Sequence, residues 1–477
     1  MDQLSLMTLL PTATALVFIF VYGACVGSLA NVLVYRLPRG LSVVRPASRC
    51  PSCQTKLTWR ENIPVLGWIL LRGRCRFCKN RISPEYPLVE GFVGLLFCVV
   101  YLLFYALPSG NLFGLTFSVL QPEWAENGLL WTWPMFVTIL VLLGCLVAIT
   151  LIDARTAQIP LVLVWVPAAT ALVLHVGHAV WIQVKHGNPG SRLSSGMGWR
   201  LEDGVRWVTS PGEVWSIASS GVHGWGFVGA AAGGTIGLGL ALVLLKIGLI
   251  RRSFADYEEW ETKALADAQA KEGVESDTES VTESGGEDQP SAQDADLWIQ
   301  YPYARREMLK EVAFVAPPVA LGVLGMSLMP RLIEQMHGPW KQANVFSPMM
   351  VPPIDVPLWL AVASGVAMGY LIGGGVVWAV RILGSLAFGK EALGLGDVHL
   401  VAAIGACLGW IDGVLGFFGA AFVGLAWTIA GWAMGGRVAR TLPYGPYIAI
   451  ASVMVLLGKP GVEWFLSKLA GMTINLP

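Results

Sequence analysis

Charged side chains are scarce in this chain: they account for 13% of its 477 residues, whereas hydrophobic residues account for 55%. A soluble globular domain carries about 25% charged residues. The shortage therefore excludes an ordinary soluble domain and indicates a polytopic membrane protein. Because the formal net charge is zero, the total charge does not point to nucleic acid, and we expect no nucleic acid partner.

Basic residues are also missing ahead of the first apolar run, which covers about 12–35 and is followed by Arg36 and Arg39. A secretory signal peptide has the opposite order, with basic residues ahead of a short apolar core. We therefore expect this run to be retained as a first transmembrane helix whose N-terminus lies outside the cell.

Apolar stretches approach the ~20 residues that a membrane-spanning helix needs at ten places. Two of them, 399–412 and 444–458, are short, so we predict an all-α membrane bundle of eight to ten transmembrane helices. The Gly-rich runs at 229–240 and 369–375 lie inside apolar stretches, where small residues indicate close helix packing rather than nucleotide-binding loops. The ten stretches are 12–35, 88–107, 134–152, 160–182, 225–249, 311–330, 357–383, 399–412, 414–435 and 444–458.

The distribution of basic residues predicts the orientation of these helices. Between residues 36 and 81, eleven Lys or Arg stand against one acid, Glu61. Loops rich in Lys and Arg stay on the cytoplasmic side, so we place this loop inside the cell. The next loop, 108–133, has two acids and no basic residue, and we place it outside. Alternation along the chain then puts the ends of the third and eighth stretches, at 153 and 397, on the cytoplasmic side.

These assignments divide the chain into seven segments. The acidic stretch at 253–296 has few large apolar side chains, and we expect it to be disordered because it cannot bury enough apolar surface. The segments are a first transmembrane helix (1–35), a cytoplasmic four-cysteine domain (36–87), transmembrane helices with a first catalytic aspartate (88–182), an extracytoplasmic insertion (183–224), a transmembrane helix (225–250), an acidic cytoplasmic insertion (251–310) and C-terminal transmembrane helices (311–477).

Two aspartates, Asp153 in "AITLIDARTAQIP" and Asp397 in "EALGLGDVHL", fall at the same cytoplasmic depth in this topology. Two carboxylates that come close together do not both ionise readily and share a proton. One can then act as general base on water and the other as general acid, which is the chemistry of an aspartic protease. The alternative is that each is structural: Asp397 as a helix N-cap, and Asp153 in a local pair with Arg155.

Four cysteines form two CxxC pairs, "CPSC" at 50–53 and "CRFC" at 75–78, in the basic loop. The cytosol is reducing, which disfavours structural disulfides. Two CxxC pairs at this spacing are typical of a tetrahedral zinc site, so we predict that Cys50, Cys53, Cys75 and Cys78 bind a structural zinc ion. A redox pair is the alternative. The surrounding basic residues would attract the anionic headgroups of membrane lipid.

Five segments together resemble the type IV prepilin peptidases, which are membrane aspartyl proteases of the GxGD class. The segments occur in the family's order and cover both ends of the chain, and they are "GACVGSLANVLVYRLPRG" (23–40), residues 48–90, "IDARTAQIP" (152–160), "EALGLGDVHLVAAIGACLGW" (391–410) and "LPYGPYIAIA" (442–451).

The resemblance implies a multi-pass protein of the bacterial inner membrane that cuts the basic leader from prepilins or pseudopilins after a Gly, on the cytoplasmic side. It implies Asp153 and Asp397 as the catalytic residues and a four-cysteine zinc site. Many members also N-methylate the new N-terminus with S-adenosylmethionine, although no residues here mark a site for that cofactor. This chain has Leu161 where the family often has Asp or Asn, and His399 where it usually has Lys. A zinc-regulated transporter or channel is the alternative function, with the acids lining a pathway.

Overall fold

The computed structural model describes most of the chain. Most of the predicted insertion at 183–224, and residues 265–300 of the acidic insertion, lie outside the described residues. The described residues are 3–45, 47–107, 111–112, 115–116, 120–122, 124–125, 128–186, 199–200, 206–207, 222–257, 259–260, 262–264, 301–344, 347–351, 353–433 and 443–471.

Helices dominate the described part of the chain, as the composition predicts. The helices are α1 (Gln3–Arg36), α2 (Leu66–Leu70), α3 (Glu85–Tyr101), α4 (Leu129–Thr156), α5 (Leu161–His186), α6 (Val222–Lys246), α7 (Ala304–His337), α8 (Leu358–Phe388), α9 (Leu395–Leu408), α10 (Trp410–Ala433), α11 (Gly445–Leu457) and α12 (Lys459–Ala470). Three short antiparallel hairpins accompany them: β1 (Asn111–Leu112) with β2 (Leu115–Thr116), β3 (Trp199–Arg200) with β4 (Arg206–Trp207), and β5 (Lys341–Asn344) with β6 (Ser347–Val351).

Eight of the described helices are long and apolar enough to cross a membrane. The bent pair of α11 and α12, whose axes differ by 94°, makes a ninth crossing if the two helices form one span. The prediction of an all-α multi-pass membrane bundle with eight to ten spans and a small four-cysteine loop is therefore confirmed.

Helix α9 is short and central. Its 14 residues extend about 21 Å at 1.5 Å per residue, which is less than the ~30 Å hydrocarbon thickness of a bilayer. It packs against α4, α5, α8, α10 and α11, and every residue from Leu400 to Leu408 is buried. The residue at its start, Asp397, is consequently shielded from lipid by protein.

Glycines bring the helices of this bundle into backbone contact. A Cβ added to Gly369 of α8 would collide with the carbonyl oxygen of Gly405 of α9, and one added to Gly405 would collide with that of Gly369. Gly229 of α6 and Gly325 of α7 approach each other in the same way. The prediction that these Gly-rich runs serve helix packing is confirmed, since small residues allow helices in a membrane to approach closely.

Candidate active site and cysteine cluster

Asp153 lies in the last turn of α4 and is 5% exposed. Its carboxylate accepts a hydrogen bond from the backbone N–H of Gly445, the first residue of α11. The approach depends on glycine, because a Cβ at position 445 would stand 2.5 Å from Asp153 Oδ2. The start of α11 thus holds the Asp153 carboxylate in place.

Asp397 lies in the first turn of α9 and is 8% exposed. The N-cap of α9 is Gly394, in an extended conformation with φ −68° and ψ 146°. The backbone N–H of Gly394 donates to the Asp397 carboxylate, and the Asp397 N–H donates to the Gly394 carbonyl oxygen at 3.2 Å. Asp397 is therefore not the N-cap of its helix, and its carboxylate is available for other contacts.

The two aspartates come together at this end of the bundle. Asp153 and Asp397 are close enough for their charges to interact. Ile159 packs against both Gly396, beside Asp397, and Gly445, beside Asp153. A Cβ on Gly396 would stand 2.9 Å from Ile159 Cβ, and one on Gly445 would stand 3.3 Å from Ile159 Cδ1. Two buried carboxylates whose charges interact do not both ionise readily.

Arg155 does not pair with Asp153. Its guanidinium forms an ion pair with Glu85, at the start of α3, and both side chains are about half exposed. This pair links the end of α4 to the end of the four-cysteine loop. The structural alternative for Asp153, a local pair with Arg155, is thus not observed.

His399 follows Asp397 by two residues and lies on a different side of α9, because successive helical residues are about 100° apart. Its Nδ1 is 3.3 Å from the Tyr370 hydroxyl oxygen. Its ring lies 6.5 Å from the Trp165 ring, which stacks on Tyr370 at 5.8 Å. The structure therefore places His399 against two aromatic residues of α5 and α8.

The four cysteines of the basic loop form one cluster. Their sulfur atoms all lie within 4.8 Å of one another, and the cysteines are free thiols. Zn–S bonds of about 2.3 Å put the sulfurs of a tetrahedral site about 3.8 Å apart. The Cys50 and Cys78 sulfurs, at 3.9 Å, match that spacing, so the cluster fits a zinc ion.

Each CxxC pair is built by the same backbone turn. Cys50 N–H donates to the Thr55 carbonyl oxygen at 3.0 Å, and Cys75 N–H donates to that of Asn80 at 2.8 Å. The residue after each pair has a positive φ, 55° at Gln54 and 60° at Lys79. Two equivalent turns that face each other are typical of a zinc knuckle.

The thiols of the cluster differ in pKa. Hydrogen bonds with Thr55 lower the pKa of Cys53 to about 6. At Cys78, the hydrogen bond with the Asn80 backbone is outweighed by burial and by the neighbouring thiols, which raise its pKa to about 11. Four thiolates at this separation repel one another, and a bound cation would relieve that repulsion.

A buried carboxylate attaches the four-cysteine loop to the membrane helices. Glu90, in α3, accepts a hydrogen bond from the backbone N–H of Val65 at 2.7 Å, and Val65 has a positive φ of 60°. Within the loop, Trp68 Nε1 donates to the Ile82 carbonyl oxygen at 3.1 Å. The loop is thus fixed at its middle and at its end.

Arg381 is a residue of this region that the sequence interpretation missed. It is fully buried in α8, and its charge interacts with that of Asp397. A signal was present in the sequence, because Arg381 is the only charged residue of the apolar stretch 357–383, and charged residues within membrane helices are rare and functional by default.

The fold and the site define a multi-pass membrane protein with two interacting buried carboxylates and a four-cysteine loop. Residues 21–104 match the family model described as the bacterial peptidase A24 N-terminal domain. Several curated prepilin leader peptidase/N-methyltransferases are similar to part of the chain. Over part of its length the chain is therefore similar to the prepilin leader peptidases.

The similarity to individual relatives is local. The enzyme of Myxococcus xanthus is 58% identical over 81 residues, which are 17% of this chain and 24% of the relative. That of Klebsiella pneumoniae is 45% identical over 86 residues, 17% of this chain and 38% of the relative. That of Dickeya chrysanthemi is 33% identical over 168 residues, 30% of this chain and 50% of the relative. The chain thus spans between a quarter and a half of the length of these relatives, and no solved structure matches it.

Proposed function

We propose that this protein is a membrane aspartic endopeptidase that removes the leader peptide of type IV prepilins or pseudopilins. The observation that carries the proposal is the meeting of two buried carboxylates, from the end of α4 and the start of α9. The relatives named prepilin leader peptidase/N-methyltransferase supply the substrate class. The proposed catalytic residues are Asp153 and Asp397.

In the proposed mechanism the pair starts with one shared proton. The ionised carboxylate takes a proton from a water molecule, which attacks the scissile carbonyl carbon, and the protonated carboxyl donates to the carbonyl oxygen. The C–N bond then breaks as the proton taken from water passes to the leaving amine. The carboxylate that had donated its proton recovers one from a hydroxyl of the collapsing tetrahedral intermediate, which regenerates the pair with one shared proton. The backbone N–H groups of Gly445 and Gly394 would hold the two carboxyl groups in position during these transfers.

The proposed location is the bacterial inner membrane, with the site on the cytoplasmic side. The basic loop of residues 36–81 supports this orientation, and the ion pair between Arg155 and Glu85 joins the end of that loop to the end of α4. The four-cysteine cluster would hold a structural zinc ion that stiffens the loop beside the carboxylates. Its basic residues would contact anionic lipid headgroups.

We also propose the second activity that the relatives' names contain, N-methylation with S-adenosylmethionine as methyl donor. The test is the mass of the processed N-terminus after co-expression with a candidate prepilin. An added methyl group that depends on this protein supports the second activity, and a processed but unmethylated N-terminus contradicts it.

A transporter or channel is not favoured. The relatives are named as peptidases, and transporters place their acidic residues near the bilayer midplane. Asp153 and Asp397 instead lie in the last turn of α4 and the first turn of α9.

The test of the peptidase is the replacement of each aspartate. Asp153→Asn and Asp397→Asn should each abolish leader cleavage while the protein remains in the membrane, because neither variant retains the acid/base pair. Asp412→Asn is the matched control: Asp412 is equally buried, lies beyond the far end of α9 and pairs with Lys459 at 3.1 Å. It should keep cleavage, and full cleavage by either of the first two variants would contradict the proposal.

A further inference from the structure

We propose that Arg381 is a positioning residue that holds the loop before Asp397, and with it the Asp397 carboxylate, in the geometry needed for cleavage. The inference rests on the proposed function and deepens it. It also assigns a role to the folded ends of the acidic insertion, which hold Arg381 in turn.

Arg381 ties three parts of the chain together. Its Nε donates to Glu311 Oε1 of α7 at 2.8 Å, and its Nη1 donates to Glu391 Oε1 at 2.6 Å. The same Nη1 also donates to the Leu393 carbonyl oxygen. The planar guanidinium has donors at fixed angles, so the positions of these acceptors are fixed relative to one another.

The loop that Arg381 holds leads directly into Asp397. Leu393 precedes Gly394, whose N–H donates to the Asp397 carboxylate. A further tie runs from the Ala392 N–H to Ser385 Oγ of α8 at 3.1 Å. The loop between α8 and α9 is thus attached to α8 twice, and a shift of its backbone would move the Gly394 donor away from the carboxylate.

The Glu311 carboxylate, which accepts from Arg381 Nε, also accepts hydrogen bonds from two other side chains. The carboxylate is 2% exposed and accepts hydrogen bonds from Trp378 Nε1 at 2.9 Å and from Ser253 Oγ at 2.8 Å. A buried ion pair needs such additional hydrogen bonds to offset its loss of hydration. These donors orient Glu311, and Glu311 orients the guanidinium.

Residues at the two ends of the acidic insertion form a cap over Arg381. Phe254, near the start of the insertion, has its ring 5.6 Å from Arg381 Cζ, and its N–H donates to Glu307 Oε2 at 2.8 Å. Tyr301, near the end of the insertion, packs on Phe254 at 5.7 Å between ring centroids, and its N–H donates to the Gly389 carbonyl oxygen at 2.8 Å. The two ends of the insertion therefore meet on the loop that leads to Asp397.

The experiment compares Arg381→Met, Arg381→Lys and a control, Lys390→Met, in cleavage of a prepilin peptide and in hydrogen–deuterium exchange. Arg381→Met should lower kcat about 100-fold, as expected for a displacement near 1 Å, and leave KM unchanged because substrate binding is not altered. Exchange should rise in residues 391–397 and not elsewhere. Arg381→Lys should recover part of kcat, because lysine keeps the positive charge but lacks the planar set of guanidinium donors.

Lys390→Met removes a positive charge from the same loop. No hydrogen bond or ion pair of the Lys390 side chain is found among the described residues, so kcat and exchange should stay at wild-type values. Wild-type kcat in Arg381→Met would overturn the proposal. A rise in exchange throughout the bundle would also overturn it, because Arg381 would then support the fold as a whole.

A double variant separates positioning from stability. Glu311→Met with Arg381→Met removes both charges, which buried sites tolerate better than the loss of one. Its thermal stability should exceed that of Arg381→Met alone, while kcat stays low because the Leu393 carbonyl oxygen still lacks its donor. Recovery of kcat together with stability would overturn the proposal. If the wild-type protein cleaves no leader, the proposed function fails, and the exchange of residues 391–397 alone decides whether Arg381 holds the loop.

Discussion

The substitution Gly445→Ala tests the contact between α11 and Asp153 with a single methyl group. The new Cβ would stand 2.5 Å from Asp153 Oδ2 and 3.2 Å from Asp153 Cγ. The carboxylate oxygen would have to move by about 0.9 Å to reach the 3.4 Å at which ordinary contact begins. The backbone N–H of residue 445 would remain.

A displacement of this size should cost activity more than stability. Misplacing a catalytic group by about 1 Å can lower kcat about 100-fold, which corresponds to about 2.7 kcal/mol of activation free energy. The fold loses less, because alanine favours a helix over glycine by up to about 1 kcal/mol, which offsets part of the strain. The assay is the rate of leader cleavage at saturating peptide, with thermal unfolding measured on the same preparation.

Gly375→Ala is the matched control. Gly375 lies in α8, and a Cβ there meets no atom within 4 Å, so both the cleavage rate and the unfolding temperature should remain at wild-type values or rise slightly. A wild-type kcat in Gly445→Ala would refute the reasoning, because the Asp153 carboxylate would then tolerate displacement. An equal loss of cleavage rate in both variants would show that replacing a helical glycine by alanine lowers the rate whatever the glycine contacts.

Three further predictions concern the cysteine cluster, His399 and Glu90. Cys50→Ser should lower the zinc content of the purified protein, measured by mass spectrometry of the metal, while Cys25→Ser should not; equal zinc in both would exclude the cluster as the site. His399→Ala should weaken cleavage and His399→Lys should keep it, whereas wild-type rates in both would remove any role for that position. Glu90→Leu should make the loop around Val65 accessible to limited proteolysis, since the Val65 N–H loses its acceptor; unchanged proteolysis would contradict that anchoring role.

Topology and spacing predicted which groups form the candidate site, and the family resemblance favoured the pairing of the two aspartates over a structural role for each. Counting basic residues put Asp153 and Asp397 on one side of the membrane, and the structure brings their charges within interaction range. The CxxC spacing predicted the cysteine cluster. The first inference uses loop charge and the alternation of spans, and the second uses the spacing of two CxxC pairs. Neither requires knowledge of how the helices pack.

The contacts that support the site could not be predicted in the same way. Arg381 and Glu311 are 70 residues apart and on different helices, so their pairing depends on how α7 and α8 pack. The lone charge within an apolar stretch indicated that Arg381 needs a partner, but several acids were available. The contacts of Ile159 and Gly445 could not be predicted either, because nothing in an apolar side chain or a glycine indicates that a carboxylate lies beside it.

The two glycines beside the carboxylates provide hydrogen bonds that offset the free-energy cost of burying a carboxylate. A buried carboxylate loses several kcal/mol of hydration unless hydrogen bonds replace the water. Asp153 receives a backbone N–H from Gly445, and Asp397 receives one from Gly394. A backbone donor is stiffer than a side chain, and at Gly445 it comes this near only because no Cβ intervenes. Gly445 and Gly394 therefore have the same role, which is to hold a carboxylate with a backbone N–H. A chain that kept both aspartates but lost these donors would retain the two carboxylates without holding them in place.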